Sequence, residues 1–300
     1  MNLDVMLIDA CNLRCPMCQH VKNTTGKFMS LEQISSILDQ MVNLDTVIGK
    51  RFDTIRLDGN REALLYPHLE EVMSIAKSKG IGTLLITNGV LLDKEKASML
   101  VRHGLKHIII SVTGITTDVY RQFQGANTKN PTEQLDKVKE NVEHLVQFRD
   151  SAKSRMKVDI SYILTEHSVV DANSAVFYWK DKGCDEIKFN VNTMDAVYAR
   201  ECKTDDFYYH PGSKCISSAG VAVNGDVYPC CQPPGEYMSI GNCFETTLSD
   251  IFSSKAYYDL VSALATLDPK NMPQGCITCP VICSKNPTRK STPPIIDRGF

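Results

Sequence analysis

Three cysteines close to the start of the chain constrain it more than any other feature. Cys11, Cys15 and Cys18 follow a short apolar run and lie within one eight-residue segment. Cysteine thiolates hold iron–sulfur clusters in proteins, and most [4Fe–4S] cubes use four of them. Three thiolates fit three corners of a cube and leave the fourth iron open to a small molecule. The alternatives are a zinc loop or three unrelated cysteines.

The composition is that of an ordinary globular protein, with 43% hydrophobic residues, 23% charged residues and a net charge of −2. This balance gives no electrostatic case for nucleic acid, and no apolar run reaches the ~18 residues of a membrane span. The N-terminus also lacks the basic start and apolar core of a signal peptide. We therefore expect a cytoplasmic protein without nucleic-acid or membrane partners. In that setting twelve cysteines favour metal ligation over disulfides.

The first two thirds of the chain alternate strands and helices, which predicts an α/β fold with a parallel sheet. Helices have clear starts, such as the capping box at Ser30–Gln33 and the Asn130–Pro131 pair. Sites in parallel α/β folds lie at the carboxyl ends of the strands, where the cysteine segment is expected. The predicted strands are 3–8, 53–57, 82–87, 107–112, 157–164 and 185–191.

The C-x3-C-x2-C spacing of Cys11, Cys15 and Cys18 resembles the signature of the radical S-adenosylmethionine (SAM) enzymes. The resemblance implies a partial (β/α)6 barrel, which we expect over residues 1–205. It also implies that the open iron chelates SAM. Reductive cleavage of SAM in this family yields a 5′-deoxyadenosyl radical that abstracts hydrogen from the substrate.

A second stretch, Asp58–Pro67, resembles the Gly-x-Gly-Glu-Pro stretch with which the family binds the SAM ammonium group. The resemblance assigns that role to Glu62, a sound partner for a cation, and to the turn residues Gly59 and Asn60. Arg61 and Ala63 stand where the family has glycine and proline, so the turn departs from the pattern.

Three further residues are assigned to the SAM site by resemblance. Asn88 belongs to a Thr-Asn-Gly turn frequent in these enzymes, and Ser111 ends the fourth strand, where the family often places a polar residue near the ribose. Asn190, near the end of the sixth strand, could face SAM or substrate.

The segment 206–300 is built differently, since seven of the twelve cysteines and ten of the thirteen prolines follow position 210. Its Asn224–Gly225 pair predicts a hairpin with a type I′ turn. The C-x9-G-x4-C spacing from Cys215 to Cys230 resembles the SPASM/twitch extension of radical SAM enzymes, which implies an auxiliary cluster. Cys231 and Cys283 remain alternative ligands, and a structural zinc site remains an alternative. The assigned ligands are Cys215, Cys230, Cys276 and Cys279, giving two [4Fe–4S] clusters in total.

Three functions compete at this point. The first is epimerisation or dehydrogenation of a hydroxylated small molecule such as a sugar, cyclitol or aminoglycoside, with a flavodoxin- or ferredoxin-type electron donor. The second is maturation of a ribosomally made peptide, and the third is a non-catalytic iron–sulfur or zinc scaffold. Only ten residues precede Cys11, which leaves little room for the leader-binding domain of many peptide maturases. Cys243 is a candidate hydrogen-atom donor for epimerisation, or a buried cysteine that packs as a small hydrophobe.

Overall fold

The structure is a computed structural model, and its described parts fall into two compact units. One unit comprises Met1–Asn192 with Ile216–Tyr258, and the other comprises Thr193–Cys215 with Asp259–Phe300. This division differs from the predicted boundary between 1–205 and 206–300. Composition marks the cysteine-rich segment but does not show which strands it pairs with. The described residues are 2–18, 24–42, 44, 52–57, 61–191, 207–209, 218–229, 239–266 and 283–285.

Six parallel strands form the centre of the first unit, and they pair in the order in which they occur along the chain. This confirms the predicted succession of β/α units. The strands are β1 (Asn2–Val5), β2 (Thr54–Leu57), β3 (Gly82–Thr87), β4 (His107–Ser111), β5 (Lys157–Leu164) and β6 (Glu186–Val191).

Helices connect these strands, and the predicted starting signals work as expected. The Ser30 hydroxyl accepts from Gln33 N at 3.2 Å and the Gln33 side chain accepts from Ser30 N at 2.9 Å, which completes the capping box. Asn130 caps the longest helix through Glu133 N. The helices are α1 (Leu31–Met41), α2 (Leu69–Ser78), α3 (Lys94–Arg102), α4 (Thr117–Tyr120), α5 (Pro131–Ser151) and α6 (Val169–Asp181), with a 3-10 turn at Ala63–Leu65.

The sheet continues beyond β1 with strands from the C-terminal part of the chain. After β7 (Phe207–Tyr209), strand β8 (Ser218–Val221) pairs with β1 in parallel. The antiparallel strands β9 (Asp226–Tyr228) and β10 (Gly241–Asn242) extend the same sheet. In the second unit β7 pairs with β11 (Cys283–Lys285).

The hairpin between β8 and β9 forms as predicted, but the type I′ turn was wrong. Gly225 has a φ of +88°, whereas Asn224 does not have a positive φ. Gly225 N donates to Ala222 O at 2.8 Å and Ala222 N donates to Asp226 O at 2.9 Å. This is a three-residue loop in which a left-handed glycine follows a tight turn. Asn224 instead uses its side-chain oxygen to accept from Asp226 N at 3.3 Å.

Two helices follow β10, namely α7 (Leu248–Phe252) and α8 (Lys255–Thr266). The break between them arises because the Ser254 hydroxyl accepts from Tyr257 N at 3.2 Å and so starts a new helix. Leu248 N donates to the Gln40 side chain at 2.7 Å, which attaches α7 to α1. Among the residues that the structure describes, no helix is long and apolar enough to cross a membrane.

The two faces of the sheet differ in polarity. An added Cβ at Gly89 would lie 3.1 Å from Ile110 Cγ2 and 3.2 Å from Val138 Cγ1, so Ile110 points towards α5. Successive side chains of a strand point to opposite faces, and the register extends that division across the sheet. The helix-facing side is apolar, while the opposite side, here called the inner face, is largely polar. Inner-face residues include Asp4, Arg56, Ser111, Asp159, Ser161, Lys188 and Asn190.

Candidate SAM and cluster site

The segment that carries the three N-terminal cysteines is a loop closed by backbone pairing at its base. Asp9 N donates to Lys27 O at 2.7 Å, and Gly26 N donates to Asp9 O at 2.9 Å. Met29 N donates to Leu7 O at 2.9 Å. These bonds bring the two ends of the loop together directly above β1. The cysteines therefore lie at the carboxyl end of the sheet, as expected.

The three thiols are each partly exposed within this loop. Leu13 N donates to Cys11 Sγ at 3.4 Å, and Cys18 N donates to Cys15 O at 3.0 Å. Burial, together with the neighbouring Cys11 and Cys18, raises the pKa of the Cys15 thiol to about 12. Three thiolates so close together repel one another, and a positively charged group held between them relieves that repulsion.

The donor set of the loop is that of an iron–sulfur cluster. Its three thiols come from one short loop, and in an iron–sulfur cube each cysteine binds a different iron atom. A structural zinc ion would instead require four ligands, with its thiolates about 2.3 Å from one centre. The three-thiol loop therefore fits three corners of a cube.

A buried ion pair connects this loop to the turn after β2. Asp9 accepts from Thr25 N at 2.8 Å and from the Thr25 hydroxyl at 2.6 Å through one oxygen. Its other oxygen accepts from Arg61 Nε at 2.6 Å. Burial raises the pKa of Asp9, but the hydrogen bonds from Thr25 and Arg61 outweigh it and leave the pKa below its ordinary value. The sequence identified Arg61 only as a departure from the family pattern, and it missed Asp9 and Thr25.

Glu62 is almost completely buried, with 1% of its surface exposed. Its carboxylate accepts from the Thr87 hydroxyl at 2.7 Å, from Asn88 N at 2.9 Å and from Leu64 N at 3.2 Å. Burial raises the pKa of Glu62 to about 7, although these hydrogen bonds oppose the rise. Its bonds come from neutral donors, so its negative charge suits a cationic ligand such as an ammonium group.

Asn88 contacts both the cysteine loop and Glu62. Its Nδ2 donates to Asn12 Oδ1 at 2.8 Å and approaches Cys11 Sγ at 3.9 Å. The loop that holds it is fixed from behind the sheet by Asn141 of α5, whose Nδ2 donates to Gly89 O at 2.8 Å. Asn141 was missed at the sequence level. The signal was a polar side chain between Val138 and Val142 on the apolar face of a helix.

Ser111 and Asn190 belong to the inner face. Ser111 pairs with Ser161 of β5 in register, and Ser161 Oγ accepts from Asn190 Nδ2 at 2.9 Å. The three side chains thus form a polar row across β4, β5 and β6. Asn190 is exposed, and the two serines are partly accessible.

A charged cluster lies beside this row on the same face. Asp159, whose side chain is fully buried, accepts from His107 Nε2 and Lys188 Nζ, each at 2.8 Å, and from Lys157 Nζ at 3.2 Å. The Lys188 side chain is 38% exposed, so its ammonium group also faces the open side of the sheet. The inner face of β4–β6 therefore offers both donors and acceptors: hydroxyl groups, the Asn190 amide, and ammonium groups paired with carboxylates.

Cys243 lies elsewhere, immediately after β10. It is 5% exposed, and its N–H donates to Gly225 O at 2.8 Å. Burial raises the pKa of the thiol to about 11. Strand β10 is three strands from β1 in the sheet order, or about 14 Å at a spacing of ~4.8 Å per strand. Burial and the raised pKa keep the thiol protonated, and in this form it can pack as a small hydrophobe or donate a hydrogen atom.

The remaining predicted site residues lie outside the described residues or are described only in their backbone. The structure describes Cys283 as part of β11. The residues that lie outside the described ranges are Gly59, Asn60, Cys215, Cys230, Cys231, Cys276 and Cys279.

Comparisons with known proteins agree with this geometry. The family model of the radical SAM superfamily matches residues 5–149, and that of SPASM, an iron–sulfur cluster-binding domain, matches residues 215–280. A GTP 3′,8-cyclase from Alkaliphilus oremlandii is 30% identical over 124 residues, which are 40% of this chain and 37% of the relative. The chain thus matches little more than a third of the length of that relative.

Two solved structures share the fold. Native anSMEcpe with bound AdoMet and Cp18Cys peptide has a TM-score of 0.66 at 16% identity, covering 93% of this chain and 86% of that one. BtrN in complex with AdoMet and 2-DOIA has a TM-score of 0.54 at 17% identity, covering 88% of this chain and 86% of that one. These likenesses support the expected mixed α/β fold with its parallel sheet.

The cofactors that accompany these two domains are a [4Fe–4S] cluster with SAM and the auxiliary iron–sulfur clusters of SPASM. The described residues fit the [4Fe–4S] cluster with SAM. Cys11, Cys15 and Cys18 form a three-thiol loop, and the buried carboxylate of Glu62 lies next to it with neutral hydrogen-bond partners. The chain belongs to the radical SAM superfamily and carries a SPASM iron–sulfur cluster-binding domain in its C-terminal part.

Proposed function

We propose that this protein is a radical SAM enzyme that removes a hydrogen atom from a hydroxylated small molecule, such as a sugar, cyclitol or aminoglycoside. The product is an epimer or a dehydrogenated compound. The observation that carries this proposal is the polar inner face, on which Ser111, Ser161 and Asn190 form a row beside Lys188. A substrate with several hydroxyl groups matches such a surface, because each group finds a donor or an acceptor.

The proposed roles of the chain's own residues follow from the site. Cys11, Cys15 and Cys18 hold the cluster, and Glu62 binds the SAM ammonium group. Asn88 holds Glu62 and the cysteine loop in their relative positions through its backbone N–H and its amide. When bound at the cluster, SAM supplies the 5′-deoxyadenosyl radical that abstracts the hydrogen atom. Further SAM contacts are assigned to Gly59 and Asn60, and also to Ser111 and Asn190, where the SAM ribose borders the substrate on the same polar row.

The auxiliary cluster is assigned to Cys215, Cys230, Cys276 and Cys279, all of which fall within the matched SPASM range. In a dehydrogenation, these four cysteines would hold a cluster that could supply the acceptor for the electron of the substrate radical, while the hydroxyl proton of the substrate would pass to solvent. In an epimerisation, Cys243 gives a hydrogen atom to the opposite face of the substrate carbon. The resulting thiyl radical then takes up one electron and one proton, with a flavodoxin- or ferredoxin-type protein as the external electron source.

Peptide modification is the second candidate function. It is favoured by the likeness to anSMEcpe, whose structure holds a peptide together with AdoMet. A peptide would place a backbone as well as side chains on the same polar face. The two candidates differ in the substrate that stimulates SAM cleavage.

The test uses the anaerobically reconstituted holoenzyme with SAM and a chemical reductant. We expect 5′-deoxyadenosine formation to rise with cyclitols, aminoglycosides or sugars and not with a matched panel of peptides. Stimulation by peptides alone would contradict the proposal and support the second candidate. About eight irons per chain would support two [4Fe–4S] clusters. A protein that holds clusters and never forms 5′-deoxyadenosine would instead be a scaffold.

Cys243 is tested in deuterated water, where a thiol exchanges its hydrogen with solvent. An epimerase that uses Cys243 should place one deuterium on the inverted carbon. Cys243→Ala should abolish the epimer while SAM cleavage continues, and Cys184→Ala is the matched control because Cys184 is also buried. Full epimerisation by Cys243→Ala would remove the assignment and leave Cys231 or Cys283 as candidates.

A further inference from the structure

We infer that Arg61 is a positioning residue for the N-terminal cluster: it fastens the cysteine loop to the SAM-binding turn and supplies a cation that favours the reduced cluster. The inference concerns the cluster and does not depend on the identity of the substrate.

The first observation is mechanical. The carboxylate of Asp9, at the start of the cysteine loop, accepts two hydrogen bonds from Thr25, at the end of the loop, and one from Arg61 Nε. The three distances are 2.6–2.8 Å. Arg61 belongs to the turn that also carries Glu62, and Glu62 N donates to Ala10 O at 3.1 Å. Both ends of the loop and the SAM-binding turn are therefore joined at one carboxylate. Outer contacts of this kind orient the ligands of a metal centre.

The second observation is electrostatic. The side chains of Arg61 and Asp9 are only 7% and 12% exposed, so water screens their charges poorly. Arg61 is held beside the cluster ligands, because its partner Asp9 lies two residues before Cys11 and because Glu62 N, in the residue after Arg61, donates to Ala10 O at 3.1 Å. Its guanidinium is therefore placed to stabilise negative charge on the cluster that Cys11 would hold.

These two observations have a consequence for electron transfer. Reduction adds one negative charge to an iron–sulfur cluster, and the net charge around a cluster is one of the factors that set its potential. A buried guanidinium near one ligand should favour the reduced form, and a buried carboxylate should disfavour it. Arg61 and Asp9 should therefore shift the potential in opposite directions, although they form one structural contact.

The experiment is a redox titration of the holoenzyme, following the electron paramagnetic resonance signal that changes when SAM is added. Arg61→Gln removes the charge but keeps an amide that can donate to Asp9, and we expect a more negative midpoint potential. Arg61→Lys keeps the charge and should stay close to the wild type. Asp9→Asn removes the carboxylate charge and should shift the potential to more positive values. Arg102→Gln is the matched control, because Arg102 is exposed and pairs with Glu70 at the surface.

A purely structural contact would give a different pattern. It would shift the midpoint potentials of Arg61→Gln and Asp9→Asn in the same direction. Alternatively, it would leave both potentials unchanged while iron is lost faster to a chelator. Either result would overturn the inference. If Arg61→Gln fails to retain a cluster, Asp9→Asn decides alone: a positive shift supports the inference and an unchanged potential refutes it. All of these readings are taken without substrate, so the proposed reaction can fail while the inference stands.

Discussion

Replacing Glu62 by glutamine should stabilise the SAM-free protein and weaken its binding of SAM. The carboxylate is buried among neutral donors, and burial raises its pKa from 4.5 to about 7. A raised carboxyl pKa means that the folded state prefers the protonated form. The contribution of Glu62 to the free energy of unfolding is therefore fully present below pH ~4.5 and is lost as the pH rises through about 7.

The size of the effect follows from the shift in pKa. A change from 4.5 to about 7, at ~1.4 kcal/mol per unit, corresponds to roughly 3 kcal/mol at pH 8. Glutamine avoids this cost but replaces one acceptor oxygen by an amide, so one of the bonds from Thr87, Asn88 or Leu64 is lost, at about 1 kcal/mol. The net gain at pH 8 is about 2 kcal/mol. Loss of the charged partner should weaken the free energy of SAM binding by about 2 kcal/mol, which is ~30-fold in affinity.

The assay compares wild type and Glu62→Gln, both cluster-loaded and kept anaerobic. Melting temperatures are measured between pH 6 and 8 at one scan rate, and SAM affinity is measured by calorimetry at pH 8. We expect the variant to melt several degrees higher at pH 8, with a flatter dependence on pH. Glu71→Gln is the control, since the Glu71 side chain is 52% exposed. A variant that is less stable at pH 8, or that binds SAM as tightly as the wild type, would refute this reasoning.

Two further substitutions test the support of the site. Asp159→Asn removes the fully buried carboxylate that His107 and Lys188 contact at 2.8 Å, and it should cost about 3 kcal/mol in thermal or urea unfolding. A loss no larger than that of the exposed control Asp118→Asn would contradict the buried network. Asn141→Leu leaves the carbonyls of the loop after β3 without their donor, so we expect a loss of about 2 kcal/mol and weaker SAM binding. Unchanged SAM affinity, compared with the exposed control Asn173→Leu, would show that the loop holds its position without Asn141.

The sequence predicted the parallel strands and their connecting helices because their signals are local. Alternating apolar runs marked all six parallel strands, and the capping groups at Ser30 and Asn130 marked helix starts. The three-cysteine loop and Glu62 were also visible, because resemblance to a known signature placed them at strand ends. Asn88 was assigned by its turn, and the structure shows it against Glu62 and Asn12.

The contacts that hold the site together were not predictable in the same way. Asp9 and Arg61 are 52 positions apart, and nothing local in either segment indicates that they meet. The turn at Asn224–Gly225 was assigned the wrong geometry, because an Asn-Gly pair fits more than one hairpin loop. Composition also could not show that the hairpin after residue 217 pairs with β1, since pairing depends on the whole sheet.

The parallel pairing of β8 with β1 also determines when the site can be completed during synthesis. Asn2 pairs with Ser218, and Met6 N donates to Val221 O at 2.9 Å, so one side of the first strand is bonded to residues translated more than two hundred positions later. Contacts between such distant residues form late, because a long chain must first be brought together. The loop with Cys11 emerges from the ribosome well before β8, so the strand that anchors the loop gains its second neighbour only after about two hundred further residues have been translated. We therefore expect the first cluster to be loaded after, and not during, synthesis of the six parallel strands.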